Sequence, residues 1–291
     1  MNKKPDSYIA TLETKRKRLR TTSIIIIFIY VVALVLVFFQ IIIAAAVALI
    51  NIVFYFFMFR PGKKAYLALY YEANTMFGLG RNFDSIVYDG KGRLDYGGVQ
   101  SSALLPVDGR EKNFQCRNYA KGIWKGIECE ISEVSTHYRY IDANLREKYA
   151  FLGGTWIKAA LNEPGDHDYK VVNRHFLHTF AYSHYKKAGY REAEIGDKLL
   201  SEVYLLFVPQ DAPGDYMPLS EDCVRRLRGI TEKASYAMSF SVSGSTVDVF
   251  LHRRFYTDKI PVKYQMDEEM IRFNRLPELE QVLRLVRSCV K

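Results

Sequence analysis

The densest group of potential metal ligands in the sequence lies between residues 166 and 184. Asp166, His167 and Asp168 are consecutive, and three more histidines follow, at positions 175, 178 and 184. Imidazole and carboxylate groups suit zinc or iron. His175 and His178 would share one face if this segment is a helix, but they would point to opposite sides if it is a strand. The sequence fits either structure. The candidate metal ligands are Asp166, His167, Asp168, His175 and His178.

This pattern has a second interpretation. The chain contains no HExxH motif, in which two histidines one helical turn apart bind zinc. A solvated or structural histidine cluster therefore competes with a metal-dependent enzyme that uses the region Asp166–His184.

Covalent catalysis has less support, because it needs a thiol or hydroxyl with a base beside it. The four cysteines are widely spaced, form no CxxC pair, and mostly sit in apolar patterns, which is typical of reduced, buried thiols. The segment Ser241–Ser245 lacks the GxSxG pattern, and neither Gly78–Gly80 nor Gly153-Gly154 extends to a phosphate-binding loop. The absence of a complete catalytic motif favours a non-enzymatic module, and no cofactor is predicted.

An uncharged apolar segment extends from Ser23 to Met58. As one helix it would be about 54 Å long, at about 1.5 Å per residue, and would need an unusually large tilt to fit a hydrocarbon core of about 30 Å. Two helices of about 18 residues reach about 27 Å each and match the core. The sequence predicts a two-span hairpin that turns near Gln40. A single long span and a signal peptide cleaved near Ala44–Ala46 are the alternatives.

Basic residues bracket this segment on both sides. The net charge is +9, and residues 1–59 hold seven basic but only two acidic residues. Basic flanks favour the cytoplasmic face, so both termini are predicted to be cytoplasmic, at the inner membrane of a bacterium. No basic stripe marks the rest of the chain, so no nucleic-acid partner is predicted. The residues expected to contact lipid headgroups are Lys15, Arg16, Lys17, Arg18, Arg20, Arg60, Lys63 and Lys64.

Two polar residues interrupt the apolar segment. Gln40 falls at the predicted turn, where water can hydrate it. Asn51 falls near the midplane of the second span, where an amide usually bonds to another helix, although it could also be merely tolerated. Ala44–Ala46 could allow the two helices to approach closely.

The remaining sequence predicts a mostly antiparallel sheet with packed helices, because strand patterns follow one another without regular helical crossovers. A turn is expected at Lys121-Gly122, and residues 199–208 fit either a strand or a helix. Ser220 should cap a helix that buries Cys223, Leu227 and Ile230. On this helix Arg225, Arg226 and Arg228 form a basic face, suited to lipid or phosphoprotein contact or simply to solvent. Further strands are expected at 83–88, 114–140, 151–161, 170–176 and 236–251, with an amphipathic helix at 277–290.

This order of elements resembles a bacterial family of membrane-anchored proteins, domain of unknown function 3137. The resemblance rests on the segments GIWKGIECEISEVSTHY, FLGGTWIKAALN, LLSEVYLLFVPQ and YAMSFSVSGSTVDVFLH. It implies two spans, a cytoplasmic domain and no established activity, and it transfers no catalytic residue. The expected organisation is a basic cytoplasmic arm at 1–22, the transmembrane hairpin at 23–59, a juxtamembrane helix at 60–77, and a cytoplasmic α+β domain at 78–291.

Three functions fit these patterns. The favoured one is a membrane-tethered binding or scaffold module whose partners are the lipid bilayer and another membrane or cytoplasmic protein. The alternatives are the metal-dependent enzyme and a lipid-sensing domain that uses Lys63, Lys64 and the N-terminal arm.

Overall fold

The chain forms two compact units in the computed structural model. The first contains Met1–Leu79 and Thr257–Phe273, and the second contains Gly80–Tyr256 and Asn274–Lys291. The structure describes residues 5–105, 113–141, 144, 146–161, 168–174, 181–233, 237–253, 262, 265–273 and 279–289.

Three long helical segments make up most of the first unit. Helix α1 spans Pro5–Val37, α2 spans Ile41–Phe54 and α3 spans Arg60–Phe77. The hairpin at 23–59 and the helix at 60–77 were expected as separate elements, but a single π-helical turn at Tyr55–Phe59 joins α2 to α3 without a break. A proline inside a helix clashes with the carbonyl four residues earlier, and the wider π turn directly before Pro61 accommodates it.

The polar ends of α1 and α3 have their own hydrophobic core. Tyr8, Leu12 and Leu19 from α1 pack with Tyr66, Tyr70 and Ala73 from α3. The short helix α8 (Glu268–Arg272) completes this cluster with Ile271, next to Met266. The Asn74 amide fixes α8 by donating to the carbonyl oxygens of Ile271 and Phe273, at 3.1 and 2.9 Å. The first unit thus takes in both the helices up to Leu79 and the later segment Thr257–Phe273.

In the described part of the second unit, nine strands form one antiparallel sheet, which confirms the predicted α+β class. The strand order is β1-β2-β3-β4-β9-β8-β5-β7-β6. The strands are β1 Ser85–Asp89, β2 Gln115–Trp124, β3 Ile127–Ile141, β4 Glu147–Ala160, β5 Tyr169–Asn173, β6 Tyr190–Ala193, β7 Tyr204–Pro209, β8 Met238–Ser243 and β9 Thr246–Leu251.

Helices cover the sheet on both faces. One face carries a core of Trp156, Phe250 and Phe207, packed against residues 94–105 and Tyr185. That cover includes α4 (Tyr96–Ser101) and α5 (Ala181–Lys187). Helix α7 (Glu221–Lys233) packs with α9 (Leu279–Ser288), and both bury their apolar faces as predicted. The Ser220 hydroxyl caps α7 by accepting from the Cys223 backbone N–H at 3.2 Å.

The turn predicted at Lys121-Gly122 is wrong. Both residues lie inside β2, and the chain reverses at Lys125-Gly126, where φ is +48° and +82°. Two positive φ values suit the tight turn of a hairpin. Gly122 instead allows β1 to lie close to β2, because a Cβ at this position would be only 2.8 Å from the Ser85 carbonyl oxygen on β1. The ambiguous segment 199–208 contains both structures, helix α6 (Lys198–Val203) and then β7.

Candidate functional site

The apolar hairpin is the first functional feature of the structure. Within the described residues, two helices are long and apolar enough to cross a membrane, Pro5–Val37 and the helix that begins at Ile41. They are joined by a turn at Phe38–Gln40, the position that the sequence predicts. Large apolar side chains stand exposed along both helices, among them Phe28, Val35, Phe38, Phe39, Ile42, Leu49 and Phe57.

Two features hold the helices of the hairpin together. Ala33 on α1 and Ala44 on α2 are buried, with 6% and 4% of their surfaces exposed, which indicates close approach. Asn51 donates from Nδ2 to the Ile26 carbonyl oxygen on α1 at 3.2 Å. The Asn51 amide therefore bonds to the other helix of the hairpin, which was one of the two interpretations of the sequence.

Most of the predicted headgroup contacts lie on accessible surface. Lys17, Arg18 and Arg20 on α1 are exposed, as are Arg60, Lys63 and Lys64 on α3, while Lys15 is half-buried. The residues 5–22, expected to be a separate arm, form the first turns of α1.

Arg16 departs from the prediction, because its side chain is buried in the first unit. Its Nε and Nη2 atoms donate to both oxygens of Glu13, at 2.7 and 2.5 Å, and Nη1 donates to the Val262 carbonyl oxygen at 3.1 Å. The hydrogen bonds from Arg16 lower the pKa of Glu13 to about 2. Arg16 therefore stabilises the helical unit and has no free guanidinium for lipid.

Of the five candidate metal ligands, only Asp168 lies within the described residues. Asp168 accepts a hydrogen bond from the Tyr190 hydroxyl at 2.8 Å and lies 3.7 Å from the Lys170 ammonium. His184 is half-buried, with a ring nitrogen 3.2 Å from the Ala103 carbonyl oxygen, and burial lowers its pKa. No group of three or more metal-ligating side chains occurs within the described residues. Asp166, His167, His175 and His178 lie outside them.

All four cysteines are free thiols, and three of them are fully buried. Burial raises the pKa of Cys116, and it raises that of Cys129 to about 12. The Sγ atoms of Cys223 and Cys289 lie 3.7 Å apart between α7 and α9. A hydrogen bond with Cys223, together with burial, raises the pKa of Cys289 well above its usual value. Cys116, Cys129 and Cys289 are therefore protonated at neutral pH and are poor nucleophiles.

A row of polar residues crosses the sheet and was not predicted. Six adjacent strands of the sheet, in the order β2-β3-β4-β9-β8-β5, each contribute one residue to this row. In that order, the residues paired in register are Lys121, Glu130, Lys158, Asp248, Ser241 and Lys170. Asp248 is buried and accepts from the Trp156 indole N–H at 2.7 Å. Lys170 is fully buried, with its ammonium 3.9 Å from the centroid of the Tyr190 ring. Burial raises the pKa of Asp248 to about 6 and lowers that of Lys170 to about 8.

Among the described residues of the second unit, two clefts are lined by cations. One has a volume of about 740 Å³ and lies between residues 93–97 and 114–117, where Arg93 and Arg117 flank the paired rings of Tyr96 and Phe114. The other, which we call the arginine cleft, has a volume of about 550 Å³. Four cations line it, together with Asp222: Lys125, Arg226, Arg284 and Arg287.

The sequence pointed to only part of the arginine cleft. The predicted basic face on α7 contributes Arg226, whereas Arg228 pairs with Asp197 and Arg225 pairs with Asp222. Arg284 and Arg287 come from α9, and Lys125 comes from the turn between β2 and β3. These elements are distant in sequence, so only their packing reveals the cluster.

Comparison with known proteins gives one weak structural similarity. No family model matches the chain, and no curated protein matches it. The crystal structure of the mycobacterial trehalose monomycolate transport factor A, TtfA, aligns with a TM-score of 0.39 and 12% sequence identity, over 75% of this chain and 91% of that chain. A similarity of this size carries no argument about function.

Proposed function

We propose that this chain is an integral membrane protein in which the hairpin of α1 and α2 anchors a non-enzymatic binding module. The observation that carries the proposal is the exposed apolar surface of the hairpin, where side chains such as Phe28, Phe38 and Ile42 are 67%, 89% and 76% exposed. Water-soluble monomers rarely expose a continuous apolar surface of this kind, and a bilayer would cover it.

The charges on either side of the hairpin support a topology. Exposed Lys17, Arg18 and Arg20 precede the first apolar stretch, and exposed Lys63 and Lys64 follow the second. Because cationic flanks are retained in the cytoplasm, we place both termini there, with the Gln40 turn outside the inner membrane of a bacterium. This topology agrees with the resemblance to domain of unknown function 3137, whose membership we propose for the chain.

The ionisable groups favour binding over catalysis. The thiols of Cys116, Cys129 and Cys289 are held protonated, so they are unsuited to nucleophilic attack. Asp168 Oδ2 accepts from the Tyr190 hydroxyl, and one ring nitrogen of His184 contacts the Ala103 carbonyl oxygen. The two clefts remain as places for a ligand, and the proposed partners are the lipid bilayer and a membrane or cytoplasmic protein.

Thiol labelling on intact cells tests the anchor and its topology together. Gln40→Cys places an accessible thiol at the turn, and Lys187→Cys places one on exposed α5 of the second unit. A membrane-impermeant maleimide should label Gln40→Cys on spheroplasts and should label Lys187→Cys only after lysis. The unsubstituted chain is the control, because its own cysteines are buried or half-buried.

Two results would overturn this proposal. Labelling of Lys187→Cys on intact spheroplasts would place the second unit outside the cell. Extraction of the unsubstituted chain from membranes by alkaline carbonate would show that the hairpin does not span the bilayer.

A lipid-sensing function is the second candidate. The exposed cations of α1 and α3 lie next to the apolar stretches, where anionic headgroups attract polybasic segments by about 1 kcal/mol per residue. Its test is the dependence of the protein's melting temperature on anionic lipid in nanodiscs. Lys63→Gln with Lys64→Gln should reduce that dependence, and a melting temperature insensitive to anionic lipid would exclude the function.

A further inference from the structure

We propose that the arginine cleft binds a ligand with a terminal phosphate or pyrophosphate group. This proposal deepens the proposed function, because it assigns a ligand class to one cleft of the binding module. The chemistry is shared by phosphorylated metabolites and by phosphomonoester lipid headgroups.

The cleft has more positive charge than its acidic residues neutralise. Arg226 Nε donates to Asp222 Oδ2 and Arg284 Nη2 donates to Glu280 Oε1, both at 2.6 Å. Neither Lys125 nor Arg287 forms an ion pair with any residue that the structure describes. Within the described part of the chain, these two cations have no ion-paired carboxylate, while the hydrogen bond from Arg284 and the field of Lys125 both lower the pKa of Glu280. A dianion in the cleft would neutralise both cations.

The packing of the second unit fixes the positions of these cations. Helices α7 and α9 are joined through their buried faces, and the Ser220 hydroxyl donates to the Ser288 carbonyl oxygen at 3.1 Å across the helix pair. Lys125 extends from a tight turn whose backbone N–H donates to Asp84 Oδ2 at 2.7 Å. Its ammonium lies 5.2 Å from the ring centroid of Trp124, which is 3% exposed. The charges are thus held on a rigid scaffold before any ligand arrives.

The donors in the cleft suit phosphate. Three guanidinium groups each present a planar fork that matches two oxygens of a phosphate, and a lysine adds a point charge. The N-terminus of α7, a helix of 13 residues, lies at the same cleft and adds partial positive charge to it.

The dimensions of the cleft favour a small ligand over a macromolecule. Its volume of about 550 Å³ lies within the range of about 300–1,000 Å³ that is usual for small-molecule pockets. Nucleic acid would instead require a long basic stripe, and Arg225 and Arg228, the next cations on α7, are already paired with Asp222 and Asp197.

Isothermal titration of the full-length protein in neutral detergent tests this proposal. The probes are sodium pyrophosphate, short-chain dihexanoyl phosphatidic acid and, as a zwitterionic control, dihexanoyl phosphatidylcholine. We expect saturable binding of pyrophosphate. Because a hydrogen bond to a charged group contributes about 1.5–3 kcal/mol, Arg287→Ala and Arg226→Ala should each weaken this binding about tenfold or more.

Two further variants make the test specific. Arg228→Ala removes one charge from the same helix outside the cleft, where the side chain is 50% exposed and pairs with Asp197, and should leave the affinity unchanged. Asp222→Asn removes the acidic group of the cleft and should tighten binding. Melting curves show that each variant is folded, and Arg287→Lys should recover part of the lost affinity if the cation itself matters.

The outcomes distinguish a phosphorylated metabolite from a lipid headgroup as the ligand. They also distinguish failure of the phosphate site from failure of the membrane anchor. Binding of both pyrophosphate and phosphatidic acid would show that a terminal phosphate suffices, and binding of phosphatidic acid alone would identify a lipid headgroup. Binding of neither probe, or an equal loss with Arg228→Ala, would overturn the phosphate site. Resistance of the same protein to carbonate extraction would show in that case that the membrane anchor stands without it.

Discussion

Lys170 and Asp248 are buried charges on either side of Ser241 in the polar row of the sheet. Strand β5 is buried along its whole length, so its lysine cannot turn to solvent. Burial opposes the charge on both groups, and the field of Lys170 and the Trp156 hydrogen bond offset only part of the penalty on Asp248. The stability of the second unit should therefore depend on pH through these residues.

Asp248→Asn should remove one part of this dependence. The folded pKa of Asp248, about 6, lies above its ordinary value of 3.8, so the native state holds the proton more tightly than the unfolded state. Its contribution to the free energy of unfolding falls by about 3 kcal/mol in all as the pH rises from well below 4 to well above 6. Urea unfolding across this range should show that fall in the unsubstituted protein and not in Asp248→Asn, which keeps an acceptor for Trp156.

The exposed Asp211 provides the control for this experiment. Asp211→Asn should leave the pH profile of the unsubstituted protein unchanged. Equal profiles for the unsubstituted protein and Asp248→Asn would show that Asp248 carries no such penalty.

The sequence could not reveal these buried residues. A lysine in a short strand pattern is expected on a solvent face, and only the covering of both sheet faces forces Lys170 inside. Arg16 was also misjudged, because it is part of a basic run in the sequence, whereas in the structure it bonds to Glu13 and to Val262, a residue distant in sequence.

At the scale of elements, glycine positions show how closely strands and helices are packed. Gly154 lies in β4, where a Cβ would clash with the Leu251 carbonyl oxygen and the Phe250 ring. Gly229 lies in α7, where a Cβ would meet nothing within 4 Å. The same substitution should therefore have opposite effects at the two sites.

Gly154→Ala should lower the free energy of unfolding by about 1–3 kcal/mol, because the backbone of β9 must shift. Gly229→Ala should raise it by about 0.5–1 kcal/mol, because alanine is the better helix former. Chemical denaturation of both variants measures these changes. A neutral Gly154→Ala would show that β4 and β9 can separate at low cost.

Elements governed by local sequence were predicted well. The hairpin turn near Gln40, the cap at Ser220 and the pair of strands around Gly244 all follow from hydropathy, capping and turn chemistry. The predicted turn between β2 and β3 was one Lys-Gly pair too early in the sequence. The choice between Lys121-Gly122 and Lys125-Gly126 depends on the close approach of β1 to Gly122. The arginine cleft depends on three elements meeting in space, and no local pattern encodes that.

At the scale of the whole molecule, the first unit is discontinuous in sequence. Its helical core takes Met266 and Ile271 from a segment that follows the last strand of the sheet. Ile271 is fully buried, whereas Phe273, two residues later, is 55% exposed. Substitutions at these two positions can therefore measure how much the segment contributes to the stability of the first unit.

Ile271→Ala should destabilise the first unit by about 2–5 kcal/mol, the usual cost of such a cavity. Phe273→Ala should have a much smaller effect, because its ring is mostly in solvent. The melting temperature of the full-length protein in detergent, followed by the helical circular dichroism signal, measures both. Equal melting temperatures for the two variants would show that the segment is not needed for the helical core.

The discontinuity of the helical unit also sets an order of events during synthesis. Helices α1–α3 leave the ribosome first, but the residues that complete their core are made only after nearly all of the sheet. At about 5–20 residues per second, the interval is roughly 10–40 s. During that time Tyr8, Tyr66 and Tyr70 lack their final neighbours. A nascent chain stalled before residue 257 would thus have an incomplete helical core, because the segment that completes this core is synthesised after the strands of the sheet.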